Sequence, residues 1–396
     1  MKQPTSASSE PGVTQSVTPT PDAEIKRIMV MAYGHIADVL PAFAALRALR
    51  QTYPAARIVV FAVEYVREMF ERCPDVDEAI VIEDFKYKGT RRGKLEQLAR
   101  LLRLAPQVYG RYDMALVLHA QTGFLSRLAW VSGARIRAGF DDGGRLPMFN
   151  RPARPLATRV SFREENRRVL EAVGVTTMGK ELVLEPSDDD MQAMRRFLAE
   201  HGVSEGETLI GLHPGSHWTC QQWDAAEWSA LADELVIRHG ARLVITGSGD
   251  EDAWARDIVA GMAAKDARVI DATGKTSIMQ FAALVKQLTC LVCVNSAASQ
   301  IALATQTPVV NLVGYENPVW TAPLASEPMT IVRGCDDSTA VENWCPYNVW
   351  GKLSQCHRAE CIGIGGLSLI RRERVMREVE RWLQADPAAS IRAKAL

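Results

Sequence analysis

Two α/β halves, each a doubly wound parallel sheet, are what this sequence predicts, and three features predict them. Short β-branched and apolar runs alternate with stretches that are apolar at helical spacing. That alternation starts twice, near residue 25 and again near residue 208. The 396 residues are enough for two cores of roughly 100–200 residues each.

In the first half, IKRIMVMAY (25–33) is a buried strand, GHIAD the turn after it, and VLPAFAALRALRQTYP (39–54) a helix stopped by proline. RIVVFAV (57–63) is the second strand, 64–73 a helix, and EAIVI (78–82) the third strand. Residues 86–103, charged and partly basic, read as one long polar-faced helix after a loop. DMALVLH (113–119) is the fourth strand, 122–133 a helix, and RIRAGF (135–140) a short fifth strand. The Gly/Arg/Pro-rich stretch 141–158 reads as a surface loop. The helix REENRRVLEAVG leads to an interdomain segment near 182–190.

The second series opens with TLIGLHPGS (208–216) and passes through the helix 224–240 to ARLVITGSGD (241–250). DARVIDATGK, a helix at 277–287, LTCLVCVNS (288–296), SQIALATQ and TPVVNLVG (307–314) follow, and 371–386 is a C-terminal helix. The resulting organisation is a disordered leader over 1–24, domains over 25–185 and 186–370, and a helix with a tail over 371–396. In paired open α/β sheets the ligand belongs in the cleft at the strand carboxyl ends.

Composition excludes several classes. The 46 Lys+Arg balance 47 Asp+Glu, which speaks against a nucleic-acid footprint. No run of about 18 apolar residues exists for a membrane span, and the N-terminal stretch has no apolar signal region, so a cytoplasmic protein is expected. Eight cysteines in such a chain are expected as thiols. Four of them (Cys335, Cys345, Cys356, Cys361, with His357 nearby) lack the paired C-x₂-C knuckles of zinc sites, so no metal is expected.

The residues suited to chemistry stand at strand ends. Asp38 follows the first strand; a carboxylate there can take a proton from a substrate hydroxyl or can cap the helix. HPGSHWTCQQW offers Gly215, Ser216 and backbone N–H groups suited to a pyrophosphate, although it is no P-loop, and His213, His217 and Trp218 read equally as packing or turn residues. Glu251 or Asp250 in TGSGDED can hold ribose hydroxyls or start a helix. Asn295, Ser296 and Ala297 stand where another helix N-terminus can face phosphate.

Taken in order, IADVLPAFAALRALRQTYPAARI, HPGSHWTCQQWDAAEWSALADEL with ITGSGDE, DATGKTSIMQFAALV and LVCVNSAASQIALATQTPVVNLVG resemble glycosyltransferase family 9, the ADP-heptose:lipopolysaccharide heptosyltransferase-like proteins. The resemblance runs from about residue 28 to 383 and implies the GT-B fold, two Rossmann-like domains with the acceptor on the first and a nucleotide-sugar donor, an ADP-sugar first, on the second. It implies inversion at the sugar carbon without a metal or other cofactor, and an acceptor that is a cell-envelope or lipid-linked glycan such as lipopolysaccharide core. The basic stretch 86–103 is compatible with gripping an anionic acceptor, with peripheral contact at the inner face of the membrane, or with an ordinary solvated helix face. By the same resemblance Asp38 is the catalytic base. Ser216 and His217 meet the donor phosphates, Glu251 the ribose, and Lys275 and Thr276 the nucleobase pocket. In GT-B proteins the last helix often crosses back to the first domain.

The sequence departs from the family where charge is usual. Gln221 stands where a cation is common, and Asn295, Ser296, Ala297 and Gln300 fill the usual D-S/T-G-x-x-H. Charge-assisted hydrogen bonds to phosphate are about twice as strong as neutral ones, so the donor is expected to be held differently. The alternatives are a non-catalytic or altered-donor sugar-nucleotide-binding relative and a GT-B-like epimerase.

Overall fold

The computed structural model of the protein describes residues 22, 24–83, 91–118, 123–140, 148–153, 161–179, 181–216, 222–263, 268–314, 323–333 and 367–385. A parallel strand flanked by helices on both faces must be apolar on both sides. That requirement explains RIMVMA, which forms β1 (Arg27–Ala32) and is buried along its length after Arg27. Around it stand β2 (Arg57–Ala62), β3 (Glu78–Val81), β4 (Met114–Leu118), β5 (Ile136–Phe140) and β6 (Arg151–Ala153). They form one six-stranded sheet, ordered β3-β2-β1-β4-β5-β6 and parallel throughout. Its helices are α1 (Ile36–Thr52), α2 (Arg67–Glu71), α3 (Arg91–Val108), α4 (Gly123–Val131) and α5 (Phe162–Glu171).

The second half follows the same plan. After α6 (Asp188–Glu200) come β7 (Leu209–His213), α7 (Ala225–His239), β8 (Arg242–Ile245), α8 (Asp252–Gly261) and β9 (Val269–Asp271). Then follow α9 (Ile278–Val285), β10 (Cys290–Val294), α10 (Ala297–Ala304), β11 (Val309–Val313), β12 (Met329–Arg333) and α11 (Arg372–Gln384). The sheet order β12-β11-β10-β7-β8-β9 is again the order 3-2-1-4-5-6 counted within the half, all parallel. Each sheet therefore reverses direction at its first and fourth strands, and these strand ends are where a ligand cleft forms.

One apolar core runs through both halves. It includes Leu40, Phe43 and Leu46 of α1, Met279 and Leu284 of α9, and Ile301 and Leu303 of α10, with α1 packed on α10. Burying one such leucine or isoleucine contributes about 1.5–3 kcal/mol, so the seam is a strong joint. A second core lies on the far face of the second sheet, where Trp223 and Trp228 meet edge to face at 5.2 Å and the Trp223 indole donates to the Ile370 carbonyl.

Several sequence readings change. Helix α1 starts at Ile36, which puts Asp38 inside its first turn. Residues 141–158 contain a strand, β6, at 151–153, and β12 is a sixth strand in the second half. The interdomain stretch near 182–190 ends in a well-capped helix, α6, packed on α9. Helix α3 is not polar-faced, because Leu95, Leu98, Leu102 and the following Tyr109 are exposed. Helix α11 does not cross back: Val375, Met376 and Val379 are buried in the core of the second half. Most of the 1–24 leader lies outside the described residues; Asp22 is paired with Arg135 at 2.6 Å. No helix among the described residues is long and apolar enough to cross a membrane.

Candidate active site

The turn after β1 is shaped around Asp38. A Cβ on Gly34 would lie 2.7 Å from the Asp38 Cβ and 2.8 Å from its Oδ2, and Gly34 has a positive φ of 158°. Only glycine leaves room there. The His35 N–H donates to Asp38 Oδ2 at 2.8 Å, which is the reciprocal half of a capping box. Tyr65 fixes the turn from outside: its hydroxyl donates to the Gly34 carbonyl at 2.7 Å, and its ring lies 5.9 Å from that of His35. Asp38 is thus both cap and carboxylate at the strand end; one oxygen is held and the group is half-buried.

Glu251 is seated by two glycines, Gly215 from the end of β7 and Gly247 from its own loop. A Cβ on Gly215 would meet its carboxyl group at 2.2–2.4 Å, and one on Gly247 would lie 2.9 Å from Oε2. The Ser248 N–H donates to that Oε2 at 2.7 Å. Under this carboxylate, at the end of β7, the His213 ring lies 3.0 Å from the Thr246 hydroxyl and 5.6 Å from the Phe281 ring. Burial holds the His213 pKa below its ordinary value, against the pull of Glu251, so the imidazole is kept neutral. The Thr246 hydroxyl, donating to the Leu212 carbonyl at 3.3 Å, accepts from Nδ1–H and leaves Nε2 as an acceptor.

Helix α10 begins at the end of β10. Its N-cap Ser296 makes no side-chain cap, and Ser296 Oγ is buried with no hydrogen-bond partner among the described residues. An unspent hydroxyl at a helix N-terminus suits an anionic ligand. Ala297 is the first residue of α10, and Ser216 lies just past β7, partly buried. Asn295 accepts from the Asn311 amide at 3.2 Å. Gln300 of α10 is 2 % exposed. Lys275 is exposed and donates to the Asp271 carbonyl at 2.7 Å, while Thr276 beside it is half-buried. Ser277 caps α9 and donates to Glu68 of the first half at 2.9 Å.

His217, Gln221, Cys220 and the cysteines at 335, 345, 356 and 361 lie outside the described residues. Among those described, no cluster of His, Cys, Asp or Glu is arranged to hold a metal ion. Burial pushes the Cys290 thiol up to about 12 and that of Cys73 to about 11, and raises that of Cys293 well above its ordinary value. These three are packing residues without nucleophilic character at neutral pH. Sequence reasoning missed Tyr65 as the brace of the Asp38 turn and Thr246 as the partner of His213. Neither stands in a motif that signals the contact.

The family description Glycosyltransferase family 9 (heptosyltransferase) matches residues 101–350. Lipopolysaccharide heptosyltransferase 3 of Escherichia coli is 25% identical over 292 residues, which are 72% of this chain and 83% of that protein. Among solved structures, the glycosyl transferase family 9 protein of Veillonella parvula superimposes with a TM-score of 0.74 at 25% identity, covering 91% of this chain and 98% of that one. The ADP-heptose lipopolysaccharide heptosyltransferase II of E. coli has the same fold, with a TM-score of 0.67 at 22% identity over 90% and 98% of the two chains.

Proposed function

Because the chain belongs to glycosyltransferase family 9, and so is a glycosyltransferase of the heptosyltransferase type, we infer that it moves a heptose or related sugar from a nucleotide-sugar donor, an ADP-sugar first, to a hydroxyl of a lipopolysaccharide-core or other lipid-linked glycan. The reading includes a cytoplasmic protein with peripheral contact at the inner face of the membrane.

The observation that carries it is the first turn of α1. Asp38 presents a half-buried carboxylate at the end of the central strand of one sheet. Its helix packs on α10, which begins with the unspent Ser296 hydroxyl at the carboxyl end of β10, the fourth strand of the second half. Asp38 Oδ2 is held by the His35 N–H, which leaves Oδ1 to take the acceptor proton. The acceptor oxygen attacks the sugar carbon on the face opposite the nucleoside diphosphate and inverts it, by the same stereochemical logic as an inverting glycosidase. Ser216, His217, Ser296 and the first N–H groups of α10 meet the charge left on the diphosphate. Glu251 accepts from the ribose hydroxyls, and Lys275 and Thr276 border the base. On this reading the transfer needs no metal.

The test is transfer from ADP-heptose to a core oligosaccharide acceptor, with Asp38→Asn and with EDTA. We expect Asp38→Asn to lower kcat at least a thousandfold with ADP affinity unchanged, and EDTA to change nothing. Transfer by Asp38→Asn at a rate within tenfold of the parent would overturn the base assignment.

A second reading is a relative with an altered donor or without catalysis. It is favoured by Asn295, tied to Asn311, and by the buried Gln300, which place no charge at α10. ADP-heptose binding without transfer to any core acceptor would select it.

A further inference from the structure

Helix α3 is apolar on two sides. Leu101, Leu104 and Val108 face the core, and such a one-sided stripe is what a surface helix needs. Yet Leu95, Leu98 and Leu102 are exposed by 69%, 53% and 66%, and Tyr109 just past its end by 72%. The spacing of three, four and seven residues sets them along one outward stripe, with exposed Ala99 and Pro106 between them. Of the eight large apolar side chains exposed among the described residues, four stand here. A fifth, Trp130, ends α4, the helix packed beside α3, and the Tyr109 ring covers Gly133 at that same end. A soluble surface rarely gathers its exposed apolar side chains in this way without a partner.

Charge tells which partner. Residues 83–111 hold eight Lys and Arg against three acidic residues, in a chain whose net charge is −1. Arg100 and Arg103 are engaged with Glu83 and Glu96; exposed Arg111 and Arg127 border the same two helices. Leucines and aromatic rings on a helix whose sequence is rich in Lys and Arg form the amphipathic pattern of a helix lying in the headgroup region of an anionic bilayer. A protein partner would call for apolar surface with less surplus charge. The crossover direction adds a geometric point. A helix joining two parallel strands runs antiparallel to them, so the basic start of α3 stands at the same end of the sheet as Asp38.

We propose that the outward face of α3, with Tyr109 and Trp130, is a docking surface for an anionic lipid bilayer. It sets the first half on the membrane with the Asp38 end of its sheet toward the basic margin. The inference deepens the reading of a lipid-linked acceptor and rests on it for its purpose. The assay measures binding without sugar transfer, so either can fail alone.

The experiment is co-flotation of the full chain with phosphatidylcholine vesicles, with or without 30% phosphatidylglycerol. The anionic vesicles should carry the protein at least tenfold more efficiently than neutral ones, and 0.5 M NaCl should release most of it. The variant Leu95→Gln/Leu98→Gln/Leu102→Gln should lose at least tenfold in flotation while keeping its Tm and its affinity for ADP, since no core side chain is altered. Equal flotation of variant and parent would overturn the proposal, as would absence of parent flotation with anionic vesicles. A concentration-dependent dimer that the triple variant abolishes, with no vesicle binding, would assign the face to a second copy of the chain and overturn it too.

Discussion

A methyl group on Gly215 would sit 2.2–2.4 Å from the Glu251 carboxyl group, well inside any real contact between heavy atoms. Gly215→Ala therefore has to expel the carboxylate from its seat between Gly215 and Gly247. On the reading of Glu251 as the ribose ligand, we expect ADP to bind at least tenfold more weakly by calorimetry, with the Tm lowered by only a few degrees. Unchanged affinity would remove Glu251 from the donor site. This seat also marks the limit of sequence reading for single residues. Asp38 and Glu251 are visible as acids after strand-like runs, but the glycine that makes room for Glu251 stands 36 positions earlier in the chain. Nothing local announces such an encounter. The same holds for Tyr65 and the Gly34 carbonyl, a contact that only the folded sheet creates.

Helix α6 gives a test of an element's end. Its N-cap Ser187 accepts from the Asp190 N–H at 3.2 Å and donates to Asp190 Oδ2 at 2.6 Å; Arg72, beyond α2, reaches the same oxygen at 2.7 Å. Ser187→Ala should lower the unfolding free energy by about 1–2 kcal/mol in urea titrations, the usual worth of such a cap, with Ser187→Thr close to the parent. A loss under a few tenths would mean that Arg72 and the Ser187 backbone N–H hold the Asp190 carboxylate without the hydroxyl. The element scale is where the sequence was most legible, because buried parallel strands must be continuous apolar runs. The omissions follow from the same rule. Strand β6 is Arg-Pro-Ala and β12 is half-exposed, and both are edge strands with a single neighbour to satisfy. The exposed leucines of α3 were hidden by the basic residues between them, since charge counts do not say which side of a helix faces out.

At the scale of the molecule, a buried ion pair also joins the halves. Arg163 of α5 donates to Glu327, which precedes β12, at 2.7 Å, with side-chain exposures of 8% and 2%. Removing one partner leaves an uncompensated charge out of water. Glu327→Gln should therefore lose about 3–5 kcal/mol of stability, whereas replacing both groups, Arg163→Met with Glu327→Leu, should lose much less. Guanidinium unfolding of the three proteins decides it; a single variant within 1 kcal/mol of the parent would mean that water reaches the pair. The seam itself has a bearing on how the chain is made. Helix α1 is complete once Thr52 has been added, yet α10, which covers it, ends at Ala304. At the usual 5–20 residues per second of synthesis, the roughly 250 residues between them take about 10–50 seconds. For that interval the face of α1 that meets α10 is without its native cover, while its contact with α5 is made within the first half.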